Sequence, residues 1–510
     1  MMRWLSYIFA LCVLGLGTVS AQDVVTLTQL KQMVKEGLSQ VEDDLLVDGL
    51  VISRYLCHNL EINPNTSYTS VSAGPDRRTA YIQSHDGVLG LGIHFDSEQL
   101  PAGLELPQWA DVRINLKGTS LSLMGGVGLS AYGLTKENIV SVTEGKEPLV
   151  KEKTVSQLTD EDVFTYVRIK GCECIFKDGS YSNVFEKYNI SSPLNKECKP
   201  FTTMDGWASL LTDANGDFIN ILVNGRAEWR RDGKGVHQGV FDLEGVLVVT
   251  DMPRYGTDNL SPYQLRPMSA DAFKVTSAAS QWKTICRWDW NRPGGDLVPS
   301  VGKGSMVCNV PGAVLGRCAE ANNPQIYSDQ SRSDANGLWD KGALSIKARA
   351  CDWWNWEEDR GNGMFVTFSG KDIKSSDAYV SFSFCGGKLL EAENSTDFPT
   401  FWTVEYSYDG ISWKPLEDRT ATMRSMIWKS NKPIRGLSYP LSNEIGLGFS
   451  EHAFAFPEDI SGRELVIVRI VPASKNLSTY AYKGSTSRAN RPGYERVCYV
   501  NFGSITIRYR

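Results

Sequence analysis

The stretch from Phe401 to Trp413 constrains the fold most, because Trp402, Val404, Tyr406 and Tyr408 alternate with Thr403, Glu405 and Ser407 ahead of an Asp409-Gly410 pair. Period-two alternation places four large apolar side chains on one face of a pleated strand. Asp-Gly tolerates the positive φ values of a tight hairpin turn, so the returning strand is expected to start at Ile411 and Trp413. Ten of the fourteen tryptophans lie between Trp282 and Trp428, so this hairpin sits where the chain invests most aromatic area.

The N-terminal half is also β in pattern. Leu45 to Ser53 is a mostly apolar strand, and Thr79 to Phe95 gives two more, split at Asp86-Gly87. Asp111 to Lys117 alternates Val112, Ile114 and Leu116 inward with Arg113, Asn115 and Lys117 outward, which is a strand with one wet face. Thr119 to Met124 continues the sheet until Gly125-Gly126 breaks it. A short helix over Val25 to Gly37, N-capped by Thr28, precedes these strands. Short strands separated by turn signals within about a hundred residues fit a small closed barrel.

From Thr154 a second unit starts. Val167-Arg168-Ile169-Lys170-Gly171 echoes Val112-Arg113-Ile114 and Lys117-Gly118, and Phe241 to Val249 echoes Leu46 to Ile52. These echoes predict two related barrels in tandem. A chain of 510 residues exceeds what one core serves. The expected layout is a signal segment over 1–21, barrels over 22–153 and 154–273, and a third domain over 274–510.

Arg3, the apolar run Leu5 to Gly17 and the small residues Val19-Ser20-Ala21 read as a secretory signal. The run is shorter than the roughly 20 apolar residues that a membrane span needs. Export to the periplasm, the cell surface or the medium is therefore expected. Export permits disulfides, with Cys172, Cys174, Cys198, Cys286, Cys308, Cys318, Cys351, Cys385 and Cys498 as candidates and buried free thiols as the alternative. No CxxC pair is present, the five histidines are isolated, and neither phosphate-binding nor dinucleotide motifs occur, so no metal or cofactor is expected.

VDGLVIS, AYIQSHDGVLGLGI, ADVRINLKG and YQLRPMSADAF together resemble a secreted-protein domain of unknown function found in envelope proteins of glycan-degrading Gram-negative bacteria. That resemblance covers about Val24 to Phe273, implies OB-like barrels and brings no catalytic residues. Beyond Lys274, the YSYDGISW hairpin, the strand Leu465 to Ile470 and the closing Ile505 to Arg508 resemble the galactose-binding-like sandwiches, which implies a jelly roll.

The leading candidate site is the loop CDWWNWEEDRGNG, where Trp353, Trp354 and Trp356 stand beside Asp352, Glu357, Glu358 and Asp359. Trp288 and Trp290 flank Asp289 in a similar setting. Indole faces stack on the C–H faces of sugars while carboxylates take their hydroxyls. Adjacent Trp353 and Trp354 face opposite ways in a strand, so one of them belongs to the core. Arg508 and Arg510 share the wet face of the last strand, where guanidinium forks could hold acidic sugars. Asp213-Ala214-Asn215-Gly216-Asp217 imitates a calcium loop, but Phe218 and Asn224 stand where its glycine and glutamate belong, so it reads as a hairpin turn. Gly128 to Tyr132 lacks the last glycine of a nucleophile elbow.

The expectation is an all-β chain, two OB-like barrels in tandem followed by a jelly-roll β-sandwich. It is a non-enzymatic envelope protein whose partner is an extracellular glycan or an envelope protein. Oligonucleotide binding by the barrels is one alternative, hinted at by Arg77, Arg78, Trp229, Arg230 and Arg231 but weakened by the net charge of −6. A glycoside hydrolase and a structural envelope component are the others.

Overall fold

The computed structural model describes residues 24–55, 57, 59–60, 78–97, 100–148, 150–177, 207–223, 227, 236–249, 260, 262–290, 297–317, 344–374, 377–386, 398–425, 450–478 and 487–510. The signal segment, Arg77, Cys198, Trp229, Arg230, Arg231, Cys318 and the side chain of Cys385 lie outside the described residues. The fold is all-β, and the described residues hold one α-helix, α1 (Leu27–Lys35). Its N-cap is Thr26 and not Thr28. Gln29 N donates to Thr26 Oγ1 at 3.2 Å while Thr26 N donates to Gln29 Oε1 at 2.9 Å, a reciprocal box that starts the helix two residues earlier.

The first barrel is built from β1 (Leu46–Val51), β2 (Thr79–Gln83), β3 (Gly90–Phe95), β4 (Asp111–Asn115), β5 (Ser120–Met124) and β6 (Gly128–Leu134). β4 leads into β5 through a turn closed by Thr119 N donating to Leu116 O at 3.0 Å, with Gly118 at φ 81° in it. β1 pairs with β2 and β4, β2 with β3, β3 in parallel with β6, and β6 with β5, so the turn from β4 to β5 joins the two ends of this path. The apolar half of the Asp111–Asn115 alternation fills it, since Val112 and Ile114 are buried.

The same circuit recurs in β7 (Tyr166–Cys174), β8 (Trp207–Thr212), β9 (Phe218–Val223), β10 (Val240–Val249) and β11 (Tyr263–Arg266). β7 pairs with β8, β8 with β9, β9 in parallel with β11, β11 with β10, and β10 with β7. Two circuits of this order, each with one parallel pairing, are OB-like. The sequence echoes join non-equivalent strands, however. VRIKG lies on β7, the first strand of its barrel, whereas VRINLKG lies on β4, the fourth of the other. The charges explain the exchange: Arg113 Nε and Nη2 each donate to Asp48 on β1 at 2.7 Å, and Arg168 Nε on β7 donates to Glu244 on β10 at 2.7 Å. Swapping acid and arginine between paired strands leaves the cross-strand bond in place.

The C-terminal sandwich contains β12 (Lys283–Trp288), β13 (Ser305–Cys308), β14 (Leu344–Arg349), β15 (Met364–Phe368), β16 (Ala378–Gly386), β17 (Phe401–Ser407), β18 (Ser450–Ala455), β19 (Val466–Pro472) and β20 (Val497–Tyr509). In one sheet the long β20 pairs along one edge with β12 and β14 and along the other with β16, which pairs with β18. The second sheet runs β13-β15-β19-β17. Trp402 is buried between them, with Trp353 and Phe384 each 5.6 Å away in edge-on packing. Edge-to-face pairs of this kind hold a core beyond its area burial.

Trp402, Val404 and Tyr406 face the core as the alternation requires, but the turn is wider than two residues. Tyr406 pairs with Lys414, and Ile411 is 84% exposed at the tip instead of opening the return strand. The Asp409 carboxylate causes this: it accepts the N–H groups of Ile411 and Ser412 at 2.7 Å, curling the loop around itself. Those bonds hold Asp409 well below the usual carboxylate range.

Two compact units result: the first barrel together with Thr159–Val167, and the second barrel together with the sandwich. Within the second, Trp282 packs edge-on to Tyr379 at 4.6 Å, and Tyr379 meets Phe218 of β9 at 5.7 Å. Arg508 Nη1 donates to the Tyr379 hydroxyl at 3.2 Å. Arg510 donates to Ala214 O at 2.5 Å and to Asp377 at 3.0 Å while its guanidinium lies 4.9 Å from the Trp282 ring. Arg508 and Arg510 therefore do not line a wet face, because the second barrel covers that side of β20.

Candidate functional site

The site is a surface corner of the sandwich. Ala350–Trp353 forms a 3-10 turn, and Trp354–Asn355 then pairs antiparallel with Arg360–Gly361. Arg349 grips Asp352 through Nε and Nη2 at 2.8 and 2.9 Å, and Asn362 Nδ2 donates to Asp352 O at 2.9 Å, which fixes the base of the hairpin. At its tip Asn355 Oδ1 accepts the N–H groups of Glu357 and Glu358 at 3.1 and 3.2 Å, and Asp359 takes the left-handed conformation at φ 47°.

This turn sorts the tryptophans by parity. Trp353 is buried against Trp402, so it is the core member of the adjacent pair. Trp354 and Trp356 are half-exposed. Trp354 Nε1 donates to Asp359 at 3.1 Å and Trp356 Nε1 to Cys351 O at 3.2 Å, so both indoles are held by their own N–H groups. Glu357, Glu358 and Asp359 are exposed beside them, with Glu358 paired to Arg360.

Lys475 completes the corner. Its Nζ lies 5.8 Å from the Trp356 ring centroid and 3.9 Å from Asp359 Oδ1. A Cβ on Gly361 would stand 2.4 Å from Pro472 O, so glycine is what lets the hairpin lie against the end of β19 and meet this lysine. Sequence reasoning missed Lys475, since no local pattern links it to a loop a hundred residues earlier. Rings, carboxylates and one ammonium group on a fixed hairpin can stack on an apolar face and bond to hydroxyls around it.

Other expected site residues lie elsewhere. Trp288 and Trp290 are core residues, and Trp288 Nε1 donates to Leu297 O at 2.8 Å, so neither indole can reach a ligand. Cys172, Cys286, Cys308 and Cys351 stand as free thiols, against the disulfide expectation. Burial pushes each thiol up, Cys286 to about 12. Cys174 and Cys498 are buried. Asp213 is a turn residue whose carboxylate accepts the N–H groups of Val155, Asn215 and Asp217 at 2.7 to 2.9 Å. Gly128 to Tyr132 lies in β6, which is followed by one 3-10 turn at Lys136–Asn138 and not by an α-helix.

OB-like barrels bind oligonucleotides on the face of their second and third strands. In the first barrel Thr159–Val167 lies on that face, with the Phe164 ring 5.1 Å from Tyr81. In the second, Leu210 and Phe218 cluster with Trp282, Tyr379 and Ala453 of the sandwich side. Neither face is open, which counts against the oligonucleotide alternative.

No family model matches the chain, and no curated protein matches it. Among solved structures it is similar to the K3 cleaved adhesin domain of Lys-gingipain from Porphyromonas gingivalis, at 8% identity and TM-score 0.22 over 44% of this chain and 100% of that one. It is also similar to a CBM4 structure, at 8% identity and TM-score 0.17 over 32% and 82%. An endo-1,3-beta-glucanase from Streptomyces sioyaensis matches at 9% identity and TM-score 0.20 over 46% and 99%. Scores this low assign neither ligand nor activity.

Proposed function

We propose that this is an exported, non-catalytic protein that binds an extracellular carbohydrate through Trp354, Trp356, Glu357 and Asp359, with Lys475, in a sandwich over 274–510 that follows barrels over 22–153 and 154–273. The observation that carries the reading is the pair of half-exposed indoles, each pinned by its N–H on one short hairpin and ringed by exposed carboxylates. Pre-set rings lose little freedom when a sugar stacks on them. Export rests on the signal-like N-terminus, and no helix among the described residues is long and apolar enough to cross a membrane.

The test is binding of the full chain to a broad glycan array beside Trp354→Ala, Trp356→Ala and, as an exposed control, Ile411→Ala. One of the two tryptophan variants is expected to weaken binding by about tenfold or more, equal to about 1.4 kcal/mol, with the control unchanged. Absence of any bound glycan, or equal binding by all four proteins, would end the reading. Release of shortened glycan would replace it with a hydrolase.

A further inference from the structure

Four carboxylates stand between Asp352 and Asp359, and three of them are committed within the hairpin or at its base. Arg349 holds Asp352 through hydrogen bonds of 2.8 and 2.9 Å, and Arg360 pairs with Glu358. Asp359 Oδ1 accepts the Trp354 Nε1–H at 3.1 Å. Glu357 is the exception. Its backbone N–H donates to Asn355 Oδ1 at 3.1 Å, but its exposed carboxylate has no partner among the described residues.

The same oxygen of Asp359 has a second neighbour. Lys475 Nζ lies 3.9 Å from Oδ1, and that ammonium group lies 5.8 Å from the Trp356 ring centroid. One carboxylate oxygen is therefore linked to Trp354 directly and to Trp356 through Lys475. The backbone of Asp359 is unusual as well. Among the described residues Trp109, Phe164, Trp290 and Asp359 are the non-glycine residues with positive φ, and Asp359 is the exposed one, at φ 47°. Its side chain is 76% exposed, so no packing enforces that conformation. Immediately before the return strand at Arg360 a glycine would take this φ without strain. An ion pair this exposed adds little to folding. What the aspartate holds is the pair of rings.

We propose that Asp359 is the positioning residue of the carbohydrate site and that Glu357 is the carboxylate that takes the sugar's hydroxyls, an assignment that rests on the carbohydrate reading above. Asp359 acts through the rings: its Oδ1 sets the Trp354 indole directly and steers Lys475 toward Trp356 before any ligand arrives. Rings already set lose less freedom when a sugar stacks on them. Glu357 acts on the ligand, because an unpaired carboxylate accepts hydroxyl donors without first giving up a partner.

The test compares Asp359→Gly, Asp359→Asn and Glu357→Gln in the full chain. Glycine keeps the left-handed backbone and removes the acceptor, whereas asparagine tolerates the same φ and still offers an oxygen to Trp354. The urea midpoint of Asp359→Gly should stay level or rise. Without ligand, the isotope-labelled Trp354 indole, assigned through Trp354→Phe, should show faster N–H exchange and lower order in Asp359→Gly. It should behave as in wild type in Asp359→Asn and Glu357→Gln. On the glycan array Asp359→Gly should bind roughly two- to tenfold more weakly, the cost of ordering a freed side chain, and Asp359→Asn should restore most of that loss. Glu357→Gln should weaken binding by a similar factor with the Trp354 indole unmoved. An unmoved indole in Asp359→Gly would overturn the positioning role alone. Equal losses in Asp359→Gly and Asp359→Asn would overturn it too, by making the carboxylate a direct contact. Full binding by Glu357→Gln would overturn the Glu357 assignment. An array that binds nothing would overturn that assignment together with the carbohydrate reading, while the indole measurement still decides Asp359.

Discussion

His452 sits enclosed among the aromatic side chains of the sandwich. It is 3% exposed, stacked on Phe382 at 5.6 Å and edge-on to Phe384 at 5.2 Å. Burial first, and the Arg419 charge second, pull its pKa down to about 3 against the help of the Thr422 backbone bond. In the unfolded chain it titrates near the ordinary value of about 6.5. Between those values the unfolded state binds a proton that the folded state refuses, so stability is fully present above about pH 6.5 and falls as pH drops toward about 3. The slope contributed is at most about 1.4 kcal/mol per pH unit. His452→Phe should flatten the acid side of the sandwich's stability curve, read from urea midpoints at pH 7, 6, 5 and 4 by exchange at the Phe382 and Phe384 amides. That readout excludes His94, which burial pulls down to about 4 in the other unit. Parallel wild-type and variant curves would show that His452 is not the titrating group.

At the scale of elements, the exchanged echo sets two ion pairs on equivalent strand pairs in different surroundings. Asp48 and Arg113 are 32% and 44% exposed, whereas Glu244 is 6% exposed and Arg168 also bonds Glu152 at 2.9 Å. Removing one partner of a buried pair strands the other charge, at roughly 3–5 kcal/mol, while exposed pairs are screened by water. Arg168→Met should therefore unfold its barrel at distinctly lower urea than Arg113→Met unfolds its own. Equal shifts would mean that Glu244 finds other compensation. The pairs also show what was legible in the sequence. Alternation at Asp111–Asn115 and Phe401–Ser407 reports burial locally, so these strands and their inward residues could be read directly. The matching of strand one with strand four depends on pairing, which local pattern does not carry. The Asp409 loop and the Thr26 cap were missed because a side chain, not the backbone signal, sets their geometry. At the corner of the sandwich, parity separated Trp353 from Trp354 in principle. Only the 3-10 turn decides which of the two is outside, and Lys475 arrives by tertiary contact alone.

At the scale of the whole molecule, the second barrel and the sandwich share one compact unit and a seam of buried side chains. Glu173 of β7 is buried and accepts Lys177 Nζ at 2.6 Å and Gln281 N at 3.0 Å, pinning the connecting segment to the barrel. The next residue, Trp282, carries the seam: its ring lies against Tyr379 on one side and the Arg510 guanidinium on the other, and Arg510 reaches Ala214 in the β8–β9 turn. A large-to-small change at a buried tryptophan costs about 3–5 kcal/mol. Here the cost falls on the contact between two cores and leaves each core's own packing intact. Trp282→Ala should therefore split one calorimetric transition of the joined barrel and sandwich into two, with the Leu210 and Phe218 amides losing protection before those of Trp402 and Phe384. A single transition merely shifted to lower temperature would mean that the two cores are coupled through more than this seam. The covered face of the second barrel would then be part of a continuous interior, without an independent barrel behind it.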